Sequence, residues 1–319
     1  MSVKNASSIV PLLSSEPADK TAYVLSALRK ALPDERVCLV EELSKQECAS
    51  VDVAIAANPV PELLDKLPNL VWLQSLWAGV EQLIEPARAR NLHVVRLIDP
   101  ELSQAMSEAA LAWTLYLHRR MPQYAQQQRN QYWQTLPWRR TQDTRITVLG
   151  LGKLGSACAS RLHANGFNVS GWSSSQHTLA GVTCYCGATG LASVLPRTDI
   201  LIVLLPLTEE TRYLLNTNTL NELPTTAALI NFARGAVTNT EDLLSALDNR
   251  TLSHAVLDVF ETEPLPQGHR LWSHPAVTVL PHIAAPTDPA SAVGIVASHI
   301  KTYRASGEIP KGIDPVRGY

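Results

Sequence analysis

Short apolar runs alternate with segments of helical spacing along most of this chain. In residues 23–32, YVLSALRKAL, apolar side chains recur at intervals typical of an amphipathic helix. Four runs in the first hundred residues have the length and composition of strands: RVCLV, VDVAIAA, LVWLQSL and LHVVRL. Strands separated by helices in this way favour βαβ units, so we predict an α/β fold with a parallel sheet.

A second series of the same kind begins at RITVLGLGKLGSACASRLHANGF. Its further predicted strands are NVSGW, ILIVLLPL, AALINFA, HAVLDVF and AVTVLPHI, with helical segments between them. A last helix is predicted around residues 288–307, beyond the final strand. If this helix crosses back to the first series, the N-terminal domain is discontinuous and is closed by a C-terminal helix.

A long helical segment joins the two series. Ser103 or Ser107 is its predicted N-cap, and Glu108 follows early in the helix. Residues 109–117 are apolar on nearly every side, as in helices that are buried on several faces. We interpret the segment as a connector between domains that also packs on another subunit.

Composition and charge exclude several classes of protein. The 27 Lys and Arg residues against 29 Asp and Glu residues give a net charge of −2, which disfavours binding to nucleic acid. No apolar run approaches the roughly 20 residues that cross a bilayer, and residues 1–13 have too short an apolar core for a secretory signal. Of the five cysteines, Cys184 and Cys186 form a lone CxC, too few ligands for structural zinc. We expect a cytoplasmic protein with reduced thiols, no bound metal, and no membrane or nucleic-acid partner.

Three glycines in GxGxxG spacing, Gly150, Gly152 and Gly155, follow the apolar run ITVL and precede a helical pattern. In this context the motif is typical of a dinucleotide site. The first glycine permits a tight turn, the second lets the backbone approach the pyrophosphate, and the third lets helix and strand pack closely. The start of the helix, with Lys153 and Leu154, offers free N–H groups and partial positive charge to the phosphates. Because the motif lies mid-chain, we expect the residues before it to hold substrate.

The position that usually selects NAD carries no acid in this chain. An Asp or Glu about 20 residues after the glycines normally binds the adenosine 2′-hydroxyl. Here the second strand ends at Trp172, then Ser173, Ser174 and Ser175 follow, and residues 159–198 contain no acid. Without a carboxylate the main barrier to a 2′-phosphate is absent, so the turn admits NADP. The alternative is a polar turn that tolerates either cofactor.

Three polar residues follow apolar strands of the second series: Arg234 in INFARGAVTN, Glu263 in LDVFETEPLP and His282 in LPHIAAPTDPA. Ligands bind at the carboxyl ends of strands in open α/β sheets, where these side chains can converge. The set suits reduction of a 2-keto acid: Arg matches carboxylate oxygens, His can donate a proton near neutral pH, and Glu favours the protonated imidazole. Taken alone, each of the three residues can be interpreted as purely structural. Because all three follow a phosphate-binding loop in the same chain, together they favour a catalytic site.

The motifs GLGKLG, NFARGAV, LDVFETEPLP and LPHIAA, in this order, resemble those of the D-isomer-specific 2-hydroxyacid dehydrogenases. GWSSS, LWAGVE, MSE, PHIAAPTDPA and DPVRGY are similar to the glyoxylate/hydroxypyruvate reductase A branch of that family. The resemblance covers most of the chain and implies two Rossmann-like domains with parallel sheets. The substrate domain would comprise residues 1–99 and 287–319, and the dinucleotide-binding domain residues 100–286. It further implies a homodimer and the reduction of glyoxylate and hydroxypyruvate, mostly with NADPH.

The resemblance also implies roles for individual residues. His282 would donate the proton, Glu263 would pair with it, and Arg234 would hold the carboxylate and carbonyl of the substrate. The substrate contacts implied in the first domain are the N–H groups of Ala78 and Gly79, which would bind the carboxylate, and Trp77, which would wall the pocket.

One position departs from the pattern of the branch. The branch tends to read Trp-Ser-Arg-Ser where this chain reads WSSS, so Ser174 replaces the arginine expected on the 2′-phosphate. Since no acid appears either, we predict a modest preference for NADPH, with NAD as an alternative cofactor. The predicted cofactor contacts are Gly150, Gly152, Lys153, Leu154, Gly155, Trp172, Ser173, Ser174, Leu205, Pro206, Thr211, Phe232, Arg234, Asp258 and His282.

A function of another class stays open at this point. The family resemblance extends to corepressors that keep the fold and the dinucleotide site, so a non-catalytic, dinucleotide-sensing binding protein is the alternative. The trio of Arg234, Glu263 and His282 does not distinguish the two, because corepressors can keep it. The lack of a basic region favours the reductase.

Overall fold

The computed structural model describes residues 9–314. The end of the DPVRGY segment, residues 315–319, lies outside the described residues. The chain divides into two compact units, one formed by Met1–Glu101 and Thr287–Tyr319 and the other by Leu102–Pro286. Among the described residues, no helix is both long and apolar enough to cross a bilayer.

The first unit contains a five-stranded parallel sheet in the order β2-β1-β3-β4-β5. Its strands are β1 (Ile9–Ser14), β2 (Arg36–Leu39), β3 (Val53–Ala57), β4 (Trp72–Ser75) and β5 (His93–Val95). The connecting helices, numbered in chain order, are α1 (Ala18–Ala31), α2 (Lys45–Ser50), α3 (Pro61–Asp65) and α4 (Glu81–Arg90). All four strands predicted in this part of the chain are therefore confirmed, as is the helix over residues 23–32.

The strand β1 was not predicted. It contains Pro11, which lacks an N–H group and argues against an inner strand. In the structure Pro11 lies opposite Cys38 of the edge strand β2, and pairing with β3 begins only at Leu12. The proline is therefore accommodated before the strand becomes central.

The C-terminal helix α11 (Pro289–Ser306) belongs to this first unit, so the prediction of a discontinuous domain is confirmed. Its Tyr303 ring packs edge-on against Trp72 with centroids 5.4 Å apart. Arg304 forms ion pairs with Glu35 at 3.0 Å and with Asp52 at 2.7 Å, and all three side chains are largely buried. Apolar packing and a desolvated charge network thus join α11 to the N-terminal residues.

The second unit contains a seven-stranded parallel sheet in the order β12-β11-β10-β9-β6-β7-β8. Its strands are β6 (Arg145–Leu149), β7 (Asn168–Ser173), β8 (Thr183–Cys186), β9 (Ile200–Val203), β10 (Ala228–Asn231), β11 (His254–Leu257) and β12 (Val277–Val279). The inner strands β9, β10 and β11 are buried along their whole length, as expected for a parallel sheet covered on both faces.

The helices of this unit are α5 (Pro100–His118), which begins at the end of the first unit, α6 (Met121–Arg129), α7 (Lys153–Ala164), α8 (Gly187–Val194), α9 (Thr217–Asn221) and α10 (Thr240–Asp248). Single 3-10 turns lie at Val40–Glu42, Thr141–Asp143, Leu195–Arg197, Gly235–Val237 and Arg270–Trp272. The α/β fold with two parallel sheets is confirmed.

Two local features of the second unit differ from the sequence analysis. The edge strand β8, TCYC, was not predicted, because its half-exposed residues lack the apolar run of an inner strand. The predicted cap of α5 was wrong: the helix begins at Pro100, ahead of both Ser103 and Ser107. The Asp99 carboxylate accepts the N–H of Glu101 at 2.9 Å and so serves the first turn.

Part of α5 and the segment after it expose apolar side chains. Leu115 on α5 is 39% exposed, so the helix is not covered on every side within one chain. The exposed residues farther along are Met121, Tyr124, Tyr132, Trp133 and Trp138, and Trp133 is 97% exposed. These side chains lie within residues 115–138; Trp272 and Ile283 are further exposed apolar residues of the second unit.

Candidate active site

The second sheet has a point at which strand order reverses. From β6 the chain proceeds outward to β7 and β8, then returns to β9 on the other side of β6 and continues to β12. Ligands of open α/β sheets bind at the carboxyl ends of the strands on either side of such a point. The loops after β6 and β9 therefore define where a ligand of this unit would bind.

The GxGxxG motif forms the loop between β6 and α7. Gly150 has a φ of 100°, and a Cβ there would lie 2.6 Å from the carbonyl oxygen of Leu204. A Cβ on Gly155 would clash with the carbonyl of Gly150, so the third glycine allows the helix to approach the loop. A Cβ on Gly152 would meet no atom within 4 Å. The middle glycine thus borders open space at the helix N-terminus, as a phosphate-binding loop requires.

The first turn of α7 contains the other two residues predicted here. Lys153 is exposed and Leu154 is half-buried. Gly152 is the N-cap and has no side chain to accept from the first N–H groups of the helix. Those donors remain available to an anion.

The serine turn follows β7 directly. Trp172 is buried, and its indole N–H donates to the carbonyl of Gly187 at 2.8 Å. Ser173 is also buried, and its hydroxyl donates to the carbonyl of Ser175 at 2.6 Å. Ser174 and Ser175 are exposed. The inner serine thus closes the turn, while Ser174 presents its side chain to solvent.

The carboxyl ends of the remaining strands lie side by side. Three backbone N–H groups just past the strand ends donate to the neighbouring strand: Phe232 to Val203 at 3.2 Å, Asp258 to Asn231 at 3.1 Å, and Leu280 to Leu257 at 2.8 Å. The segments that carry Arg234, Glu263 and His282 therefore leave the sheet at one edge, as the sequence predicted.

Two of the three polar residues are in direct contact. The Nδ1 atom of His282 lies 2.8 Å from Oε2 of Glu263. Both side chains are accessible, with 54% of His282 and 36% of Glu263 exposed. Since Nδ1 faces the carboxylate, it carries a proton there, and Nε2 remains for another partner.

His282 has a left-handed backbone conformation with a φ of 55°. Such a conformation costs on the order of 1–3 kcal/mol for a residue other than glycine. The carboxylate of Asp258 offsets this cost, because it accepts the N–H groups of Ile283 at 2.7 Å and Ala284 at 2.9 Å. Burial raises the pKa of Asp258, and these two N–H groups oppose the rise by stabilising its charged form. Asp258 thus fixes the loop from which His282 projects.

Arg234 follows β10 on a turn held by a buried asparagine. The Asn231 amide donates to the carbonyl of Arg234 at 3.1 Å, and its oxygen accepts the N–H of Ala233 at 3.0 Å. The Arg234 guanidinium donates to the carbonyl of Ala233 at 2.6 Å and is half-buried. Asn231 was missed at the sequence level, although an Asn between a strand and a turn is a recognisable Asx-turn signal.

The other predicted cofactor contacts lie at the same edge. Leu205 follows β9 and is buried, as is Phe232 after β10. The Thr211 hydroxyl donates to the carbonyl of Pro206 at 2.6 Å, so it closes the loop that follows β9. These residues form the wall of the second unit next to the reversal point.

Trp77, Ala78 and Gly79 belong to the first unit. They connect β4 to α4, at the carboxyl edge of the first sheet. The Ser75 hydroxyl accepts the N–H of Trp77 at 3.0 Å, and the Trp77 carbonyl accepts the N–H of Leu97 at 3.0 Å. The loop is therefore ordered by its own hydrogen bonds, while Ala78 and Gly79 remain partly exposed ahead of the helix.

A glycine loop at the reversal point of a parallel sheet, with ionisable residues on the adjacent strand ends, is the arrangement of a dinucleotide-binding α/β protein. Residues 111–284 match the family described as D-isomer specific 2-hydroxyacid dehydrogenase, NAD binding domain. The chain therefore belongs to the D-isomer specific 2-hydroxyacid dehydrogenase family, and the resemblance found in the sequence is confirmed.

Individual relatives are similar over nearly the whole chain. A glyoxylate/hydroxypyruvate reductase A from Serratia proteamaculans is 40% identical over 275 residues, which are 84% of this chain and 88% of the relative. A D-isomer specific 2-hydroxyacid dehydrogenase from Xanthobacter autotrophicus Py2, solved with NADPH and MES, has a TM-score of 0.90 at 35% identity and covers 97% of this chain and 99% of its own. An NADPH-dependent glyoxylate/hydroxypyruvate reductase from Sinorhizobium meliloti, solved with NADP and sulfate, has a TM-score of 0.85 at 32% identity and covers 98% and 99%.

Proposed function

We propose that this protein reduces small 2-keto acids, glyoxylate and hydroxypyruvate among them, to 2-hydroxy acids at the expense of NADPH. The observation that carries the proposal is the 2.8 Å contact between His282 and Glu263 at the sheet edge that also holds the glycine loop. Similarity to reductases from Serratia proteamaculans and Sinorhizobium meliloti supports the same substrates and the same cofactor.

The residues of the second unit fit a dinucleotide. The open space beside Gly152 and the uncapped N-terminus of α7 suit a pyrophosphate, and Lys153 adds a positive charge nearby. Leu205, Pro206 and Phe232 would hold the nicotinamide half, with Asp258 near its carboxamide. When bound, the reduced nicotinamide supplies the hydride.

His282 is proposed as the general acid. Its Nδ1 is engaged by Glu263, so Nε2 is the atom that would donate a proton to the oxygen of the former carbonyl. The carboxylate accepts the Nδ1 proton and so fixes the tautomer and the plane of the ring. The proton donor is thereby oriented before the substrate reacts.

Arg234 is proposed to bind the substrate. A guanidinium presents a planar fork that matches a carboxylate and can also polarise an adjacent carbonyl. With a carboxylate oxygen and the carbonyl oxygen both bound to Arg234, the carbonyl carbon of a small keto acid would be oriented for reduction. The substrate contacts predicted in the first unit, Trp77, Ala78 and Gly79, stay a prediction.

The serine turn supports NADPH over NADH by a modest margin. No carboxylate opposes a 2′-phosphate there, and Ser174 exposes a hydroxyl that can donate to it. Ser173 would support the turn through its bond to Ser175, with Trp172 beneath it. Because a hydroxyl carries no charge, the preference should be smaller than that given by an arginine.

The corepressor-like alternative has less support. The similar proteins described above are reductases and dehydrogenases, and two of them were solved with NADPH or NADP. Loss of NADPH absorbance with glyoxylate separates the two functions, because a binding protein would take up the dinucleotide without turnover.

We further propose a cytoplasmic homodimer. The exposed apolar side chains of Leu115, Trp133 and Trp138 suit burial against a second copy. The five cysteines are free thiols, which suits a reducing compartment. Sedimentation at micromolar concentration tests the assembly: a monomer alone would remove the dimer from the proposal and leave the chemistry intact.

A side-by-side titration tests the reaction. NADPH and NADH are each offered with glyoxylate, hydroxypyruvate and phenylpyruvate, and kcat/KM is measured for each pair. We expect turnover of the two small acids and a higher kcat/KM with NADPH. No oxidation of either cofactor with any of the three acids would contradict the proposed function.

A further inference from the structure

Glu261 ties together three segments of the second unit. Its Oε2 accepts the Tyr213 hydroxyl at 2.7 Å, and its Oε1 accepts the Thr240 hydroxyl at 3.1 Å. Tyr213 lies in the segment that follows β9, and Thr240 is the first residue of α10. Both carboxylate oxygens of Glu261 are therefore engaged, by residues 48 and 21 positions away in the sequence.

The same short segment carries Glu263. It leaves the sheet after Leu257, where β11 ends, and the N–H of Phe260 donates to Oε1 of Glu263 at 2.9 Å. The other oxygen of Glu263 contacts His282. The position of Glu263 therefore depends on the backbone of residues 260–263.

Close packing supports this segment on one side. Gly235, directly after Arg234, has no room for a side chain, because a Cβ there would clash with the backbone of Phe260 and Glu261. The turn of Arg234 and the segment of Glu263 thus touch backbone to backbone. A shift of one would displace the other.

On another side the segment borders a cavity of about 350 Å³. Tyr213, Phe260, Glu261 and Leu265 are among the residues that line it. On this side the two hydrogen bonds of Glu261 tie the segment to Tyr213 and Thr240 across the wall of the cavity. Tyr213 adopts a left-handed conformation with a φ of 52°, an unusual state for an aromatic residue, and its hydroxyl reaches Glu261 from it.

We propose that Glu261 and Tyr213 are positioning residues whose hydrogen bond holds the segment that carries Glu263 and so sets the contact between Glu263 and His282. Neither residue touches the reacting atoms. The role assigned to His282 rests on the proposed function, whereas the effect on the Glu263–His282 contact does not. The two can therefore be tested apart.

The first experiment compares Tyr213→Phe and Glu261→Gln with the wild-type enzyme. Tyr213→Phe removes the hydroxyl that donates to Glu261, and Glu261→Gln weakens both bonds because the amide carries no charge. Neither variant changes His282 or Glu263 itself. We expect kcat/KM for glyoxylate to fall roughly 10-fold, the size of one lost hydrogen bond to a charged group. We also expect the high-pH limb of its pH profile to move to lower pH, because a displaced carboxylate stabilises the imidazolium less. The Kd for NADPH should stay unchanged.

Glu241→Gln is the matched control. Glu241 lines the same cavity, and no hydrogen bond among the described residues joins it to Tyr213 or Glu261. This variant removes a carboxylate from the same wall, so it should keep the wild-type pH profile. An equal shift of the high-pH limb in Glu241→Gln would mean that the loss of any nearby negative charge moves the pH profile. The positioning role of Glu261 would then be wrong.

A second experiment works without substrate. The imidazole of His282 is titrated by NMR in wild type, Tyr213→Phe and Glu261→Gln, with its signal assigned by its loss in His282→Asn. We expect the titration midpoint to fall in both positioning variants. An unchanged midpoint, or a loss of kcat that is equal at every pH, would overturn the positioning role. An inactive wild type with a shifted midpoint in the variants would instead overturn only the proposed function.

Discussion

His282 Nδ1 and Glu263 Oε2 lie 2.8 Å apart, and the two residues come from loops at the ends of different strands. The Asp258 carboxylate fixes the loop of His282 by accepting the N–H of Ile283. The Glu263 side chain is fixed by the N–H of Phe260, which donates to its Oε1. Each partner thus has an anchor of its own, apart from the contact between the two. The imidazole is left with Nε2 directed away from the carboxylate, which is the geometry of an oriented proton donor.

Removal of the imidazole tests the proton donor. In His282→Ala we expect turnover of glyoxylate to fall by ~100-fold or more, the usual size of general acid catalysis. NADPH should still bind, because the glycine loop lies on other strands. Steady-state kinetics and fluorescence titration of NADPH measure the two effects, and unchanged turnover would exclude His282 as the acid.

Replacement of the carboxylate tests the pair. In Glu263→Gln the Nδ1 proton of His282 loses its charged acceptor, so the ring is held less firmly. We expect kcat/KM for glyoxylate to fall roughly 10-fold, the size of one lost hydrogen bond to a charged group. Steady-state kinetics measures the change, with the Kd for NADPH as the control. An unchanged kcat/KM would argue against coupling of the two residues.

The substrate fork is tested by Arg234→Lys. Lysine keeps the charge but loses the planar fork, so the keto acid loses at least one hydrogen bond. We expect kcat/KM for glyoxylate to fall on the order of 10- to 100-fold, as for the loss of a hydrogen bond to a charged group. The Kd for NADPH serves as the control. A lysine variant with wild-type kcat/KM would show that a point charge suffices.

Cofactor choice is tested by Ser174→Arg. An arginine in the exposed part of the turn can pair with the 2′-phosphate, which NADH lacks. We expect the ratio of kcat/KM with NADPH to that with NADH to rise, and Ser193→Arg, on the exposed side of α8, provides a control of equal charge. If Ser174→Arg leaves the ratio unmoved, the ribose site has been misassigned.

The stability of the second unit should depend on pH through His254. This side chain is buried in β11, its Nε2 lies 2.9 Å from the Thr278 hydroxyl, and burial lowers its pKa to about 4. Between pH 6.5 and 4 the unfolded chain binds a proton that the folded chain does not, so the free energy of unfolding falls as pH falls. The loss reaches up to about 3 kcal/mol, and urea unfolding measures it. In His254→Asn the pH dependence should flatten, while His177→Asn should retain it.

The sequence predicted the strands that form the inner part of each sheet, because their apolar runs are continuous. It missed β1, where Pro11 interrupts the pattern, and β8, where an edge strand needs no apolar run. The start of α5 was misplaced because Asp99, not a serine, serves its first turn. An apolar run indicates that a segment is buried. The positions of β1 and β8 in their sheets and the start of α5 depend instead on strand order and on local hydrogen bonds.

Within the candidate site, the order of the motifs indicated which strand ends carry the polar residues. The contact of Tyr213 with Glu261 could not be predicted, because it joins residues 48 positions apart and the motif LDVFETEPLP does not indicate which distant side chain Glu261 meets. The inward bond of Ser173 is likewise a property of the folded turn. Such contacts depend on the register of neighbouring strands, which no local pattern specifies.

The serine turn follows β7, next to the edge strand β8, whereas the His282 loop follows the opposite edge strand, β12. Four strands, β11, β10, β9 and β6, lie between β12 and β7 in the order of the sheet. Substitutions at the serine turn can therefore change the choice between NADPH and NADH without disturbing the proton donor His282. For biocatalysis this makes the protein a convenient scaffold: its coupling to a chosen recycling system can be engineered at a peripheral turn, independently of the substrate pocket.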